Sequence, residues 1–419
     1  MEFMVNFVVG LALFSGSSYQ DVVEHMIGAF PWLGPSAPNK SSLTRARRRL
    51  GPEVLRRIYE ELAGPVAVAG DPGAFYRGMR LGSVDGMQLD APESAANRAR
   101  FGGQHQTPEL PRGLPVVRVV SLTETGTRAQ MAAGVGGFHD SERLMARDLA
   151  PAAAGMLVII DALFPDVKLW QTFDGSGAHL LVRASTRVAA VPEHVLEDGT
   201  YLTRMRRSGY KGNTAQSVLV RVIDYQVDGG ERFRLLTSLH DPQAHPVRDL
   251  IALYPERWES EGANRQIKSF QRGDRAVLRS THPDLIEQEI WAHLIVHTTI
   301  TKIITGAAQA AGIDPRRLSY TKTLTQVRLA VTRQAPTTDT AQTGPDDTTP
   351  TTPGTFIQTL ATRAKRLLDN GIKRPRASPR QISSARPTYP HRPIADKLKQ
   401  RTYKTTPKTI TLPPQPILA

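Results

Sequence analysis

Cysteine is absent from all 419 residues, which excludes a disulfide framework, a thiolate metal site, an iron–sulfur cluster and a cysteine nucleophile. Long apolar runs are missing as well. The longest near the start, Met4–Phe14, is about half of the roughly 20 residues that a membrane-spanning helix requires. No Lys or Arg precedes it and no small-residue cleavage site clearly follows, so a secretory signal is not expected. A reducing, cytoplasmic setting with no membrane partner is the resulting expectation. The 11 His show no metal-ligand spacing beyond isolated pairs such as His240 and His245. No nucleophile elbow supports Ser/His/Asp catalysis. The Gly-rich stretch GVGGF at 134–138 lacks the Lys of a phosphate-binding loop. No internal repeat of fixed period is visible.

Positive charge is in excess. The formal net charge of +14 points to polyanionic partners. It is spread unevenly: residues 334–419 carry 14 Lys and Arg against 5 Asp, a net +9, which leaves +5 for residues 1–333. The same segment holds 13 of the 31 prolines and a Thr-rich run, with little to build a core. Such a composition cannot offset its ordering entropy, so disorder is expected, apart from helical spacing at Phe356–Leu368. The segment reads either as a solvating tail or as a flexible arm that grips phosphates.

Ahead of it, residues 1–68 read as a small helical unit. Ser41 or Ser42 is the expected cap of a helix that Gly51-Pro52 breaks. Arg45, Arg47, Arg48 and Arg49 cluster on that helix, as in a DNA-binding module or on a solvated basic face. From about Arg80 the period changes to that of strands: MRLGSVDGMQLD alternates, and two further strands flank the turn at Glu124–Thr127. GMLVIID is a continuous apolar run of strand length, suited to a central strand covered on both faces. A β-rich stretch spans about 175–245, and long helices follow from Pro246 to about Ala311. The order of elements predicts an α/β domain over 78–330 with a β-rich insertion.

Three acids stand out. Asp85 ends the strand-like LGSVDG, and Asp161 ends MLVIID. An ionised carboxylate after a buried strand is costly unless it is solvated or bound to a cation. Either both cap turns, or both face the crevice where α/β sheets place ligands. In YPERWESEGANRQIK, Tyr254, Arg257, Glu261 and Lys268 advance by three, four and seven, which on a helix puts all four on one face. A carboxylate flanked by two cations and a phenol suits a metal and phosphates better than a packing stripe. An all-oxygen acid set suits Mg²⁺ or Mn²⁺. Trp258, in the same segment, is expected to pack rather than to stack on a flipped base.

The spacing Y-x2-R-x3-E-x6-K resembles the signature of bacterial insertion-sequence DDE transposases of the insertion-element-four group, over about residues 1–330. SVDGMQLDAPESAANRARFG resembles the first-aspartate block of that family, GMLVIID its second, and WAHLIVHTTI its C-terminal close. One departure is Ala162-Leu163 after Asp161, where the family commonly has Arg and a small residue. The resemblance implies an RNase H-like catalytic domain in which Asp85, Asp161 and Glu261 hold two Mg²⁺ or Mn²⁺ ions. It implies cutting at element ends and joining to target DNA by in-line phosphoryl transfer. Tyr254, Arg257 and Lys268 would contact DNA, as would Arg45, Arg47, Arg48 and Arg49 of the helical unit. Within the insertion, Arg204, Arg206, Arg207 and Lys211 are either backbone contacts or a solvated loop. The implied partners are double-stranded DNA, both terminal repeats and target, and a second copy of the chain in the DNA complex. The implied location is the nucleoid. A DNA-binding protein of transposase descent without catalysis is the alternative.

Overall fold

The computed structural model describes residues 1–27, 38–107, 110–111, 113–161, 166–185, 190–206, 217–227, 232–273, 277–333, 353–368 and 410–411. Its centre is a strand without alternation. β4 (Met156–Ile160) is buried at all five positions, because neighbours pair on both edges and helices cover both faces. β1 (Met79–Asp90) runs parallel beside it, with Arg80 opposite Met156 and Val84 opposite Ile160. On the other edge of β1 lie β2 (Val116–Glu124) and β3 (Gln130–Gly137), each antiparallel to its neighbour. β5 (His179–Ala184) is parallel to β4. A three-stranded antiparallel meander continued by two parallel crossover strands is the RNase H-like sheet that the resemblance implies. Gly82 in β1 has a packing reason: a Cβ there would meet Met156 at 2.8 Å and Leu122 at 3.1 Å.

The β-rich insertion does not form a separate layer. β6 (Tyr201–Arg206), β7 (Ser217–Val227) and β8 (Arg232–Thr237) continue the same sheet, in the order β3-β2-β1-β4-β5-β8-β7-β6. β5 pairs with β4 on one edge and β8 on the other, so it joins the central strands to the β-rich stretch. Two-residue strands at Phe75–Tyr76, His194–Val195 and Ile410–Thr411 add to β1, β6 and β7.

The helices divide between two places. α6 (Glu142–Asp148) and α7 (Val167–Gly175) cover one face of the sheet, with Trp170 and Phe173 in the core between them. At the N-terminus, α1 (Glu2–Leu13), α2 (Tyr19–Ile27), α3 (Lys40–Leu50) and α4 (Glu53–Leu62) bury Phe7, Leu11, Val22, Leu43 and Leu55. Their core is shared with α10 (Pro283–Ala310), the longest helix, through Ile290, Trp291 and Leu294. The N-terminal helices are therefore continuous in packing with α10. Asn39, rather than Ser41 or Ser42, caps α3: its Oδ1 accepts from Ser42 N at 2.8 Å. Gly51, at φ 70°, ends that helix.

α5 (Ala95–Phe101), α8 (Val247–Leu253), α9 (Trp258–Arg265) and α11 (Tyr320–Arg333) complete the frame. In the basic C-terminal segment, the patch with helical spacing does fold. α12 (Pro353–Thr362) and the turn Ala364–Leu367 bury Leu360, Ala364 and Leu367 in the α10 core. Among the described residues, no helix is long and apolar enough to cross a membrane.

Candidate active site

The register of β1 against β4 sets the first two acids. Val84 faces Ile160, so the next rung brings Asp85 level with Asp161, on neighbouring parallel strands about 5 Å apart. β1 itself does not end there. It continues to Asp90 along β2, with Asp85 opposite Ser121. Asp85 is thus not terminal in its strand, as the sequence suggests; it stands where pairing on the β4 side stops.

Glu261 comes from α9, which lies across β1. Ser260 and Asn264, one turn apart, point down onto Ser83 and Asp85, two residues apart on the strand. Ser260 Oγ is 3.2 Å from Ser83 Oγ, and Asn264 Nδ2 donates to Asp85 Oδ2 at 2.9 Å. Ser260 Oγ also donates to the Arg257 carbonyl at 2.8 Å. Neither Ser260 nor Asn264 is expected from the sequence as a site residue. The available signal was Asn264 at i+3 from Glu261, on the same helical face. A second tie holds α9 from the turn between β2 and β3: Arg128 Nε donates to Glu259 Oε2 at 2.7 Å, and both side chains are largely buried.

The four signature residues converge, but not on one regular helix. Tyr254–Arg257 is a 3₁₀ turn, α9 follows, and Gln266–Gln271 is a π-helix. Tyr254 is buried and its hydroxyl donates to Asp161 Oδ1 at 3.3 Å. Burial, and then the charge of Asp161, push the phenol well above its ordinary value. Arg257 Nη1 lies 3.3 Å from Asp161 Oδ2 and 2.9 Å from Glu261 Oε1. One guanidinium thus bridges two of the three acids, and its carbon sits 4.4 Å from the ring centre of Trp258. Trp258 is 43% exposed, so packing holds only one of its faces. Lys268 lines an open cleft of about 660 Å³ with Asp85, Gln88, Glu261, Asn264 and Arg265.

Asp85 pays electrostatically for this place. Burial raises its carboxyl to about 6, and the charges of Glu261 and Glu142 act in the same direction. Glu142 comes close because Gly86 has no side chain: a Cβ there would meet Glu142 Oε1 at 2.3 Å. Among the described residues, no three of His, Asp and Glu form a ready metal cage. Arg257 occupies the space between Asp161 and Glu261 instead.

The N-terminal arginines separate. Arg45, Arg48 and Arg49 are exposed on α3. Arg47 is not a surface cation, as the clustering suggests, but 1% exposed. Its guanidinium donates to Gln288 Oε1 at 3.2 Å, to the Leu285 carbonyl at 3.1 Å and to the Tyr19 hydroxyl. All its donor capacity faces inward, so it locks α3 to α10 and has nothing to offer a phosphate. In the insertion, exposed Arg204 pairs with Glu193 at 3.5 Å. Arg207, Lys211, Ala162 and Leu163 lie outside the described residues.

Residues 76–299, more than half of the chain, match the family described as transposase DDE domain. The chain belongs to the DDE transposase family. Residues 1–60 match the insertion element 4 transposase N-terminal family, which places this transposase in the group that the spaced signature indicated. Transposase InsG for insertion sequence element IS4 of Escherichia coli (strain K12) is 28% identical over 350 residues, covering 80% of this chain and 77% of that protein. Putative transposase InsZ of the same organism is 24% identical over 154 residues, 36% of this chain and 52% of that protein. Among solved structures, the cryo-EM piggyBac transposase synaptic complex with hairpin DNA aligns at a TM-score of 0.38 and 10% identity, over 70% of this chain and 58% of that one. DNA transposition is the activity that family membership carries to this chain.

Proposed function

We propose that Asp85, Asp161 and Glu261 are the catalytic acids of this DNA transposase, and that they hold Mg²⁺ or Mn²⁺, two ions per site. The observation that carries this is the rung that sets Asp85 level with Asp161 beneath a helix whose Asn264 is bonded to Asp85. The donor set fits hard divalent cations: it is all oxygen, and Asp161 and Glu261 already converge on one positive group, Arg257. Asp85, held neutral more readily than an ordinary carboxylate, gains from a neighbouring cation. Bound there, the ions supply activation of water or a 3′-hydroxyl and stabilise the leaving 3′-oxygen of an in-line phosphoryl transfer.

The protein's own part is positioning. Tyr254 and Arg257 orient Asp161 and Glu261, and Lys268 holds a DNA phosphate against the cleft by charge. Exposed Arg45, Arg48 and Arg49 contact the backbone of the element end from the 1–68 unit. The β-rich insertion contacts DNA near the cut, and the basic segment from residue 334 adds sequence-independent grip. Paired ends call for two active sites, hence a homodimer on DNA. The test is strand transfer by purified protein with Mg²⁺ and element-end DNA, set against Asp85→Ala, Asp161→Ala and Glu261→Ala. Each variant is expected to lose joining by at least about 10²-fold while still binding DNA. Joining at the wild-type level by all three would remove the proposed site.

A further inference from the structure

The π-helix that carries Lys268 is tied at both ends to α10. Gln266 begins it and Gln271 ends it, and both side chains are buried. The Gln266 Oε1 lies 2.9 Å from His297 Nε2, and since a carbonyl oxygen only accepts, His297 is the donor. Gln271 Nε2 donates to His293 Nδ1 at 2.9 Å and to the His293 carbonyl at 3.1 Å, while its Oε1 accepts from the Tyr320 hydroxyl at 3.1 Å. Its backbone carbonyl accepts from Ser15 Oγ at 2.6 Å. His293 and His297 are one turn apart on the buried side of α10. Burial holds both imidazoles down to about 3, so they stay neutral partners across the physiological range.

A π turn has poorer backbone bonding than an α turn and seldom persists without support. Each of its residues turns the chain less than an α residue does. A continuous α-helix would already set Lys268, seven residues past Glu261, on the Glu261 face; the π turn, which rotates less per residue, shifts it round the axis from there and gives it the direction it takes here. That direction is into the cleft beside Asp85 and Glu261. The buried glutamines do not reach the cleft and touch nothing that reacts.

We propose that the Gln266–His297 and Gln271–His293 pairs are positioning devices for the transposition reaction, holding the π turn so that Lys268 meets a DNA phosphate. This rests on the reading of Lys268 as a phosphate contact. The decisive variant is Gln266→Met with His297→Leu, which replaces both partners by apolar groups and leaves no buried donor unpaired. The experiment measures binding of element-end DNA by the full-length protein over a salt series, with thermal unfolding as a fold check. Lys268→Ala is expected to weaken binding about five- to tenfold and to lower the slope of log affinity against log salt by about 1. The Gln266→Met/His297→Leu protein should show the same lowered slope, and adding Lys268→Ala to it should cause no further loss. Gln266→Asn, one methylene short, should lie between wild type and the double variant and serves if that variant fails to fold. A wild-type slope in folded glutamine variants, or losses that multiply with Lys268→Ala, would overturn the inference while leaving the Lys268 reading standing. An unchanged slope in Lys268→Ala alone would overturn that reading, and the inference with it.

Discussion

At Asp85, burial and chemistry pull in opposite directions. The folded protein raises this carboxyl from 3.8 to about 6, so the fold binds its proton more tightly than the unfolded chain does. The metal-free protein is consequently favoured below about pH 4 by this group and loses that contribution as pH rises through about 6. Asp85→Asn keeps an acceptor for Asn264 and removes the charge. In chelator, it should be more stable than wild type at pH 7 by roughly 1–2 kcal/mol, with the gain fading as pH approaches 4. Denaturant melts at the two pH values check this; a gain equal at both would show that the charge is not the cause. Arg47 makes a different point at the same scale. By composition it equals Arg45, Arg48 and Arg49; Tyr19, and Gln288 and Leu285 about 240 residues later, make it internal. Side chains whose role is set by such distant partners were not legible in the sequence. Those set by local spacing, Tyr254 to Lys268, were.

Among the elements, α9 is held between two anchors: Ser260 and Asn264 on β1, and Glu259 on Arg128. Arg128 sits at φ 65°, a left-handed conformation costly for a side-chain-bearing residue. Its ion pair with Glu259 is what that conformation serves. Arg128→Ala loses the pair and keeps the strained φ, whereas Arg128→Gly loses the pair and relieves it. Both should be destabilised, by about 2–4 kcal/mol for Ala, with Gly the less affected by about 1 kcal/mol. Equal stability of the two in denaturant melts would show that the backbone there is not strained. The element types were readable because β4 is uniformly apolar and β1 alternates. The 3₁₀ and π turns around α9 were not, since a single turn is too short to show its period in the sequence and the choice depends on Pro255, His293 and His297. The level placement of Asp85 and Asp161 required the strand register, which periodicity does not supply.

For the molecule as a whole, the +14 charge explains attraction to DNA; Asp85 and Glu261 share their cleft with Arg265 and Lys268, and Arg257 offsets Asp161 and Glu261. The shared core of α1, α3, α4 and α10 has a consequence for synthesis. Phe7, Leu11, Leu43 and Leu55 leave the ribosome first, yet their partners Ile290, Trp291 and Leu294 are translated more than 200 residues later. Until then the apolar faces that α10 covers stay open to solvent. Chains ending at residue 280 should therefore be aggregation-prone and protease-sensitive within residues 1–62, while chains ending at residue 368 should protect that segment. Limited proteolysis of the two truncations decides it, and equal protection would show that the N-terminal helices fold unaided. A transposase built this way closes its N-terminal core only when the strand that encodes it has been read through α10.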